Sequence, residues 1–155
     1  MLEKILVCMD GSKAAEQIIH LITDDTRLVS SKLTLFRVIN LPDITIPLSV
    51  PGEPGVPIST GVFRKQTQTR EEEAASYLQD VADELHKKGI DANYEVMPGA
   101  AGDTIIHYAI ENDITLIALG THGHNIARRF FVGSTADFVI RHSPIPVLVI
   151  RPGSV

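Results

Sequence analysis

The chain has 155 residues with a net charge of -5, and 44% of the residues are hydrophobic and 21% charged. This length suits one domain, here residues 1–155, with a core large enough to need no metal or disulfide staple. The acidic balance argues against a nucleic acid partner, because a phosphate backbone attracts positive charge. No run approaches the roughly 18 apolar residues of a membrane span, so we expect no membrane partner.

The first apolar run, Lys4 to Met9, predicts a buried strand. Asp10 closes this run, and the turn Asp10-Gly11-Ser12 leads into a segment with apolar residues at helical spacing. Those residues are Ala15, Ile18, Ile19 and Ile22. The pattern predicts a strand, a turn and a helix whose N-cap is Ser12.

Cys8 is the only cysteine, and it lies inside this predicted strand. A lone cysteine cannot form an intrachain disulfide, and a buried thiol is typical of proteins from a reducing compartment. The apolar run ahead of Asp10 is also too short for a signal peptide. We therefore expect a cytoplasmic protein.

Strands and helices alternate through the rest of the chain. The apolar patterns predict strands at 33–41, 91–97, 114–119 and 146–150, and helices at 74–88, 102–112 and 134–142. Strands that alternate with helices, and that are apolar on both faces, indicate a parallel sheet covered by helices on each side. The predicted fold class is α/β.

Residues 42–69 interrupt the alternation. This segment contains Pro42, Pro47, Pro51, Pro54 and Pro57 together with Gly52, Gly55 and Gly61. Such a composition does not suit a helix or a central strand, so we expect a long loop over 42–69. A loop of this length is uncommon inside a compact domain, and it would be a surface insertion, a lid or an interface arm.

A spaced set of small residues near the C-terminus indicates a phosphate site. Gly120 follows an apolar run, Gly123 comes next, and nine residues separate Gly123 from Gly133. Ser134 and Thr135 then open the last predicted helix. Glycine lets the backbone approach a ligand without an intervening Cβ, and N–H groups at a helix start attract anions.

Residues beside this glycine set offer alternatives. Ser134 also suits a plain N-cap that pairs with Asp137 in a capping-box-like arrangement, and both roles can hold together. Arg128 and Arg129 lie between Gly123 and Gly133 and could pair with phosphate oxygens. Two adjacent arginines are, however, more often solvated surface charges.

Strand ends bring these residues to a common crevice. In a doubly wound parallel sheet, ligands bind beyond the carboxyl ends of the strands where the strand order reverses. With five strands in the order 3-2-1-4-5, strands one and four are neighbours at that point, so Asp10 and Gly120 face the same crevice. Val38 borders it from the end of strand two.

The glycine set and three further segments resemble the universal stress protein family, in its ATP-binding branch. The spacing Gly120-x-x-Gly123-x9-Gly133-Ser134 matches that family's nucleotide motif, and residues 5–12, 35–38 and 143–152 resemble other blocks. The resemblance covers essentially the whole chain, least of all the proline-rich segment. It implies a Rossmann-like, adenine nucleotide alpha hydrolase-like domain that commonly dimerises through its last strand, here Val147 to Ile150.

The resemblance also implies an adenine nucleotide in the crevice, ATP or else ADP or AMP, with Mg²⁺ or Mn²⁺ carried by the phosphates. Asp10 and Val38 would contact adenine or ribose, and Gly133 to Thr135 the phosphates. The other matching positions are Cys8, Leu119, Gly120, Thr121, His122, Gly123, His124 and Asn125. Cys8 stands where such proteins often have proline, and Arg37 where they often have histidine, which affects the adenine pocket more than the phosphate site.

The sequence gives little indication of catalysis. Thr121-His122-Gly123-His124 fits the T-x-G-H signature of some nucleotidyltransferases, but there the signature follows the first strand and here it follows the fourth. The glycine-rich loop lacks the lysine of a Walker A motif, and His122 and His124 have no third His or Cys at ligand spacing. We therefore predict an ATP-binding, dimeric protein with a regulatory or stress-response role and at most weak ATP hydrolysis. The alternatives are a nucleotide-independent dimeric interaction module and a slow ATPase.

Overall fold

The computed structural model describes residues 3–11, 13–24, 30–40, 60–121 and 133–151. In these residues, strands alternate with helices in the order β1 (Lys4–Cys8), α1 (Lys13–Asp24), β2 (Lys32–Ile39), α2 (Thr60–Lys87), β3 (Ala92–Pro98), α3 (Ala101–Glu111), β4 (Leu116–Gly120), α4 (Ser134–His142) and β5 (Val147–Ile150). Apart from α2, every element from β2 onwards begins and ends within two residues of its predicted bounds. The predicted Ser12 cap of α1 lies outside the described residues.

The strands form one parallel sheet in the order β3-β2-β1-β4-β5. This confirms the predicted doubly wound α/β fold. The central strands read as nearly continuous apolar runs because helices cover both of their faces, as the complete burial of Ile5, Leu6 and Val7 demonstrates. The order reverses between β1 and β4, as expected.

Alternating residues of each strand enter two separate hydrophobic layers. Val7 and Leu35 pack under α1 and α2, whereas Leu6 and Phe36 pack under α3 and α4. Each fully buried side chain of this size stabilises the fold by about 1.5–3 kcal/mol relative to an exposed one. This alternation determines which side chains can reach a site on either face of the sheet.

The prediction of a loop over residues 42–69 is wrong for residues 60–69, which belong to α2. The last proline of the segment is Pro57, so nothing beyond it prevents a helical backbone. Local hydrogen bonds support these turns: the Thr69 hydroxyl donates to the Lys65 carbonyl over 2.8 Å, and the Gln68 amide donates to Glu72 over 3.0 Å. Residues 42–59 lie outside the described residues.

The N-cap of α4 also differs from the prediction. Gly133 occupies this position with an extended backbone, and its carbonyl accepts the Asp137 N–H over 2.9 Å. No side chain caps the helix start, and the Asp137 carboxylate instead accepts hydrogen bonds from the Arg141 guanidinium one turn later, at 3.0 Å. The expected capping-box pair of Ser134 and Asp137 is therefore wrong, because the helix begins at Ser134, one residue earlier than a Ser134 cap requires.

None of the helices in the described ranges is long and apolar enough to cross a membrane. The longest, α2, has 28 residues but carries charged side chains along most of its length.

A close contact joins α3 to α4. A Cβ placed on Gly102 of α3 would overlap the Phe138 ring of α4, with the ring Cγ only 2.9 Å away. The Phe138 ring is itself stacked on His142, with 4.2 Å between the ring centroids. Glycine is therefore required at residue 102 by packing.

We expect Gly102→Ala to destabilise the protein by about 1–3 kcal/mol through overpacking, although alanine is normally the better helix former. Urea unfolding measures the difference. The double variant Gly102→Ala with Phe138→Leu should recover part of the loss, because the smaller side chain removes the clash. A Gly102→Ala protein that is more stable than the wild type would contradict the packing assignment.

Candidate functional site

A cavity of about 440 Å³ opens at the carboxyl edge of the sheet, where the strand order reverses between β1 and β4. The ends of three strands and the starts of two helices line it. The described lining residues are Cys8, Met9, Asp10, Phe36, Val38, Asn40, Ala101, Ile105, Leu119, Gly120, Gly133, Ser134, Thr135 and Ala136.

The floor of the cavity is apolar and is built by the register of the central strands. Cys8 pairs with Phe36 on one side and with Leu119 on the other, so the three side chains lie in one row. Ile105 of α3 closes the floor from the helical layer. A flat apolar surface of this kind suits a planar heterocycle such as a nucleobase.

Two helices begin at the wall of the cavity. Gly133, Ser134 and Thr135 bring the start of α4 to it, and Ala101 brings the start of α3. Neither start has a side-chain cap. Helix N-termini carry partial positive charge and free N–H groups, so this wall favours an anion by about 0.3–1 kcal/mol per helix.

Gly133 leaves the backbone of that wall bare. A Cβ placed on it would meet no atom of the described residues within 4 Å, so open space among them lies where a side chain would be. Its backbone conformation is one that other residues adopt readily, with φ -55° and ψ 154°. The described part of the fold therefore does not require a glycine here, and close approach of a ligand gives a reason for it.

Asp10 is the only charged residue in the described lining. It lies at the end of β1, beside the apolar floor. The pKa of the neighbouring Cys8 thiol is raised far above its ordinary value, first by burial and then by the negative charge of Asp10. Cys8 is thus a protonated, essentially apolar part of the floor.

Comparison with known proteins assigns the chain to a family. Residues 1–151 match the sequence model of the Universal stress protein family. The chain belongs to this family. It is 27% identical over 150 residues to a universal stress protein of Synechocystis, which covers 96% of this chain and 97% of that protein. Its fold is similar to that of UspA from Lactobacillus plantarum, with a TM-score of 0.76 and 25% identity over 97% of this chain and 98% of that one.

Two solved structures similar to this universal stress protein hold nucleotides. One is a universal stress protein in complex with cAMP, with a TM-score of 0.61 and 18% identity over 98% of both chains. The other is a family protein from Arabidopsis thaliana with AMP bound, with a TM-score of 0.64 and 14% identity over 98% of this chain and 93% of that one. At these identities the likeness establishes the shared fold.

The cavity brings together many of the residues that the sequence singled out in this universal stress protein. They are Cys8, Asp10, Val38, Leu119, Gly120, Gly133, Ser134 and Thr135. Thr121 is buried and does not line the cavity; its backbone N–H donates to the Ile150 carbonyl over 2.9 Å, towards β5. The remaining candidates, His122, Gly123, His124, Asn125, Arg128 and Arg129, lie outside the described residues.

Sequence reasoning missed several lining residues, namely Met9, Phe36, Asn40, Ala101, Ile105 and Ala136. Strand alternation could have found two of them, because Phe36 and Asn40 lie two positions on either side of Val38 and share its face. Ile105 was noted only as part of a helical apolar stripe, and its place in the cavity depends on how α3 packs on the sheet.

A second cleft, of about 450 Å³, lies along the outer edge of β3. Its lining includes the acidic residues Asp83 and Glu95, and it contains neither a glycine nor a helix start. The cavity and the cleft have similar volumes, so the choice of candidate site depends on the chemistry of their lining residues. Only the cavity at the reversal point combines an apolar floor with donors for an anion.

The protonated state of Cys8 makes its reactivity testable. We expect iodoacetamide at pH 8 to alkylate the native protein more than about 100-fold more slowly than the urea-unfolded protein, because the thiolate is the reactive form. Cys8 is the only cysteine, so mass spectrometry of the intact chain reports on it alone. Native and unfolded rates within a factor of ten would contradict the raised pKa.

Proposed function

We propose that this universal stress protein binds an adenine nucleotide, with ATP as the principal ligand, and that it has a regulatory or stress-response role. The observation that carries the proposal is the make-up of the cavity, which has an apolar floor at one end and two uncapped helix starts at the other. A nucleotide has matching parts, a planar base and a chain of phosphates. The nucleotide complexes of similar folds support the same ligand class.

The base and ribose belong at the β1 and β2 ends. Val38 and Phe36 supply apolar contact for the adenine ring. The Asp10 carboxylate can accept hydrogen bonds from ribose hydroxyls or from the adenine amino group. Asn40 lies on the same wall and offers both a donor and an acceptor.

The phosphates belong at the start of α4. There the backbone N–H groups of residues 133–135 and the helix dipole favour negative charge, and Gly120 leaves room for close approach. The contacts predicted for His122, Gly123, His124 and Asn125, and for Arg128 or Arg129, stay predictions. We assign Mg²⁺ or Mn²⁺ to the phosphates, since the described side chains include no group of three His, Cys, Asp or Glu that could hold a metal ion.

We propose binding rather than turnover as the main activity. The ionisable side chains in the described lining are one carboxylate, Asp10, and one thiol, Cys8, whose pKa is strongly raised. These two do not supply an activated nucleophile with its base. Slow ATP hydrolysis and a nucleotide-independent interaction role remain the alternatives, and a cytoplasmic location stays a prediction.

Thermal unfolding with and without ligand tests the proposal. At 100 times its Kd, a nucleotide adds about 2.7 kcal/mol to the free energy of unfolding, which raises the Tm by roughly 5–10 °C for a chain of this size. Gly133→Val should lose most of this shift, because its side chain occupies the space in which a phosphate must approach. The variant without ligand should keep a Tm within a few degrees of the wild type, since no atom of the described residues lies within 4 Å of the added Cβ.

The nucleotides to compare are ATP with Mg²⁺, ADP, AMP and cAMP. Absence of a shift with all four would overturn the proposed function. A full shift in Gly133→Val would show instead that the phosphates lie elsewhere.

We also propose a homodimer formed through β5. In the described sheet β5 pairs only with β4, so its other edge is open, and Leu148 on this strand is 36% exposed. Helices α1 and α4 both contact β5, and each carries an exposed apolar residue, Leu21 and Ile140. An open apolar strand edge favours pairing with a second copy.

Light scattering at micromolar concentration should give the mass of a dimer, and Leu148→Lys should give a monomer, because a lysine on the edge opposes pairing. Tyr94→Lys is the matched control, since Tyr94 is 38% exposed on β3, the opposite edge of the sheet. A wild-type monomer would contradict the dimer, and a monomer only with Tyr94→Lys would place the interface on β3.

A further inference from the structure

Arg37 lies on the opposite face of the sheet from the nucleotide cavity. Its neighbours in β2, Phe36 and Val38, both line the cavity. Because successive side chains of a strand point to opposite faces, Arg37 points into the layer of α1 and α2. It is half-buried there.

The Arg37 guanidinium packs against the turn that follows β1. Its Nη1 atom lies 3.5 Å, and its Cζ and Nη2 atoms 3.9 Å, from the position that a Cβ on Gly11 would have. Gly11 has a φ of +82°, in the left-handed region that favours glycine, so the turn depends on this residue. Asp10, one residue earlier, lines the cavity. A single turn therefore has the guanidinium on one side and the proposed nucleotide on the other.

Arg37 is also the positive member of a group of ionisable side chains under that turn. The Tyr77 hydroxyl of α2 donates to the Glu16 carboxylate of α1 over 3.2 Å. The pKa of Tyr77 is raised by burial and by Glu16, lowered by Arg37 and raised by Asp10, so the charge of Arg37 acts on the Tyr77 hydroxyl. Arginine stays charged at every physiological pH, and its planar fork can face two carboxylates at once.

We propose that Arg37 is a positioning residue of the nucleotide site. From the far face of the sheet, its charged guanidinium packs against Gly11 and holds the Asp10–Gly11 turn in place, so that Asp10 faces the ligand. This inference rests on the proposed function, because the positioned carboxylate is the one assigned to adenine or ribose. Arg37 would therefore affect the affinity for the nucleotide without contacting the nucleotide.

The first test compares affinities for AMP and ATP by calorimetry. Arg37→Met keeps the apolar stem and removes the charge, and we expect a Kd roughly 10-fold higher, since small displacements of a binding group are costly. Arg37→Lys keeps the charge without the planar fork and should fall between Met and the wild type. Arg141→Met is the matched control, because Arg141 is an exposed arginine that pairs with Asp137 on α4, and its Kd should match the wild type.

A double-variant cycle separates positioning from a general loss of stability. If Arg37 acts through Asp10, then Arg37→Met should change the Kd by less than about 2-fold in an Asp10→Ala background. An effect of equal size with and without Asp10 would overturn the proposal. So would an unchanged Kd in Arg37→Met alone.

Arg37→His provides a second readout with a charge that titrates. The ionisable groups whose charges act on Tyr77 together with residue 37 are Asp10 and Glu16, and the partner of residue 37 on β3, Val96, is apolar. The ratio of the variant's Kd to the wild-type Kd should be near 1 at pH 5.5, where the imidazole is charged, and about 10 at pH 8, where it is neutral. The ratio cancels the titration of the nucleotide itself, and a ratio that does not vary with pH would contradict the electrostatic hold.

Failure of the proposed function is distinguishable from failure of this inference. A wild-type protein that binds no adenine nucleotide contradicts the proposed function. Hydrogen exchange of the Gly11 amide then tests by itself whether Arg37 holds the Asp10–Gly11 turn. Faster exchange in Arg37→Met than in Arg141→Met would support its hold on the turn, and equal exchange would overturn it.

Discussion

The register of β1 against its two neighbours is the constraint on which the other features depend. Both faces of this strand are buried, so a slip of one residue would move its side chains into the wrong layers. Thr115 fixes the register at the amino end: its hydroxyl accepts the N–H groups of Glu3 and Lys4, each over 3.1 Å, and donates to the Lys4 carbonyl over 2.9 Å. The same alignment at the carboxyl end brings Asp10 and Gly120 to the edge of one cavity.

The fold could be predicted from the sequence wherever burial leaves a local pattern. Central strands buried on both faces appear as apolar runs, and α3 appears as an apolar stripe at helical spacing. The first turns of α2 leave no such pattern, since residues 64–73 are all exposed or half-buried, and the nearby prolines suggested a loop. The bounds of α4 were predicted correctly but its N-cap was not, because Ser134 is a good cap by residue type and only the backbone reveals that Gly133 takes that place.

The candidate site, like the fold, has a part that the sequence could predict and a part that it could not. Its backbone contributors were predictable, because Gly120 and Gly133 have a spacing that is unusual by itself. The Ile105 side chain could not be placed, since its position depends on how a helix packs across the sheet. Arg37 was noted only as a departure from a family pattern, and its contact with Gly11 joins β2 to the turn after β1, between residues 26 positions apart.

The length of α2 has a consequence for how the protein loses structure. A helix of 28 residues spans about 42 Å, whereas the 8 residues of β2 span about 26 Å, so one end of α2 extends beyond the sheet. Its buried side chains begin at Ala74 and continue to Leu85. Unwinding from the N-terminal end as far as residue 73 would expose no described buried side chain, so this part can fray at small free-energy cost. Unwinding from the C-terminal end would expose the buried Leu85 within the first turn. The C-terminal end of α2 is therefore more stable against local unfolding than the N-terminal end.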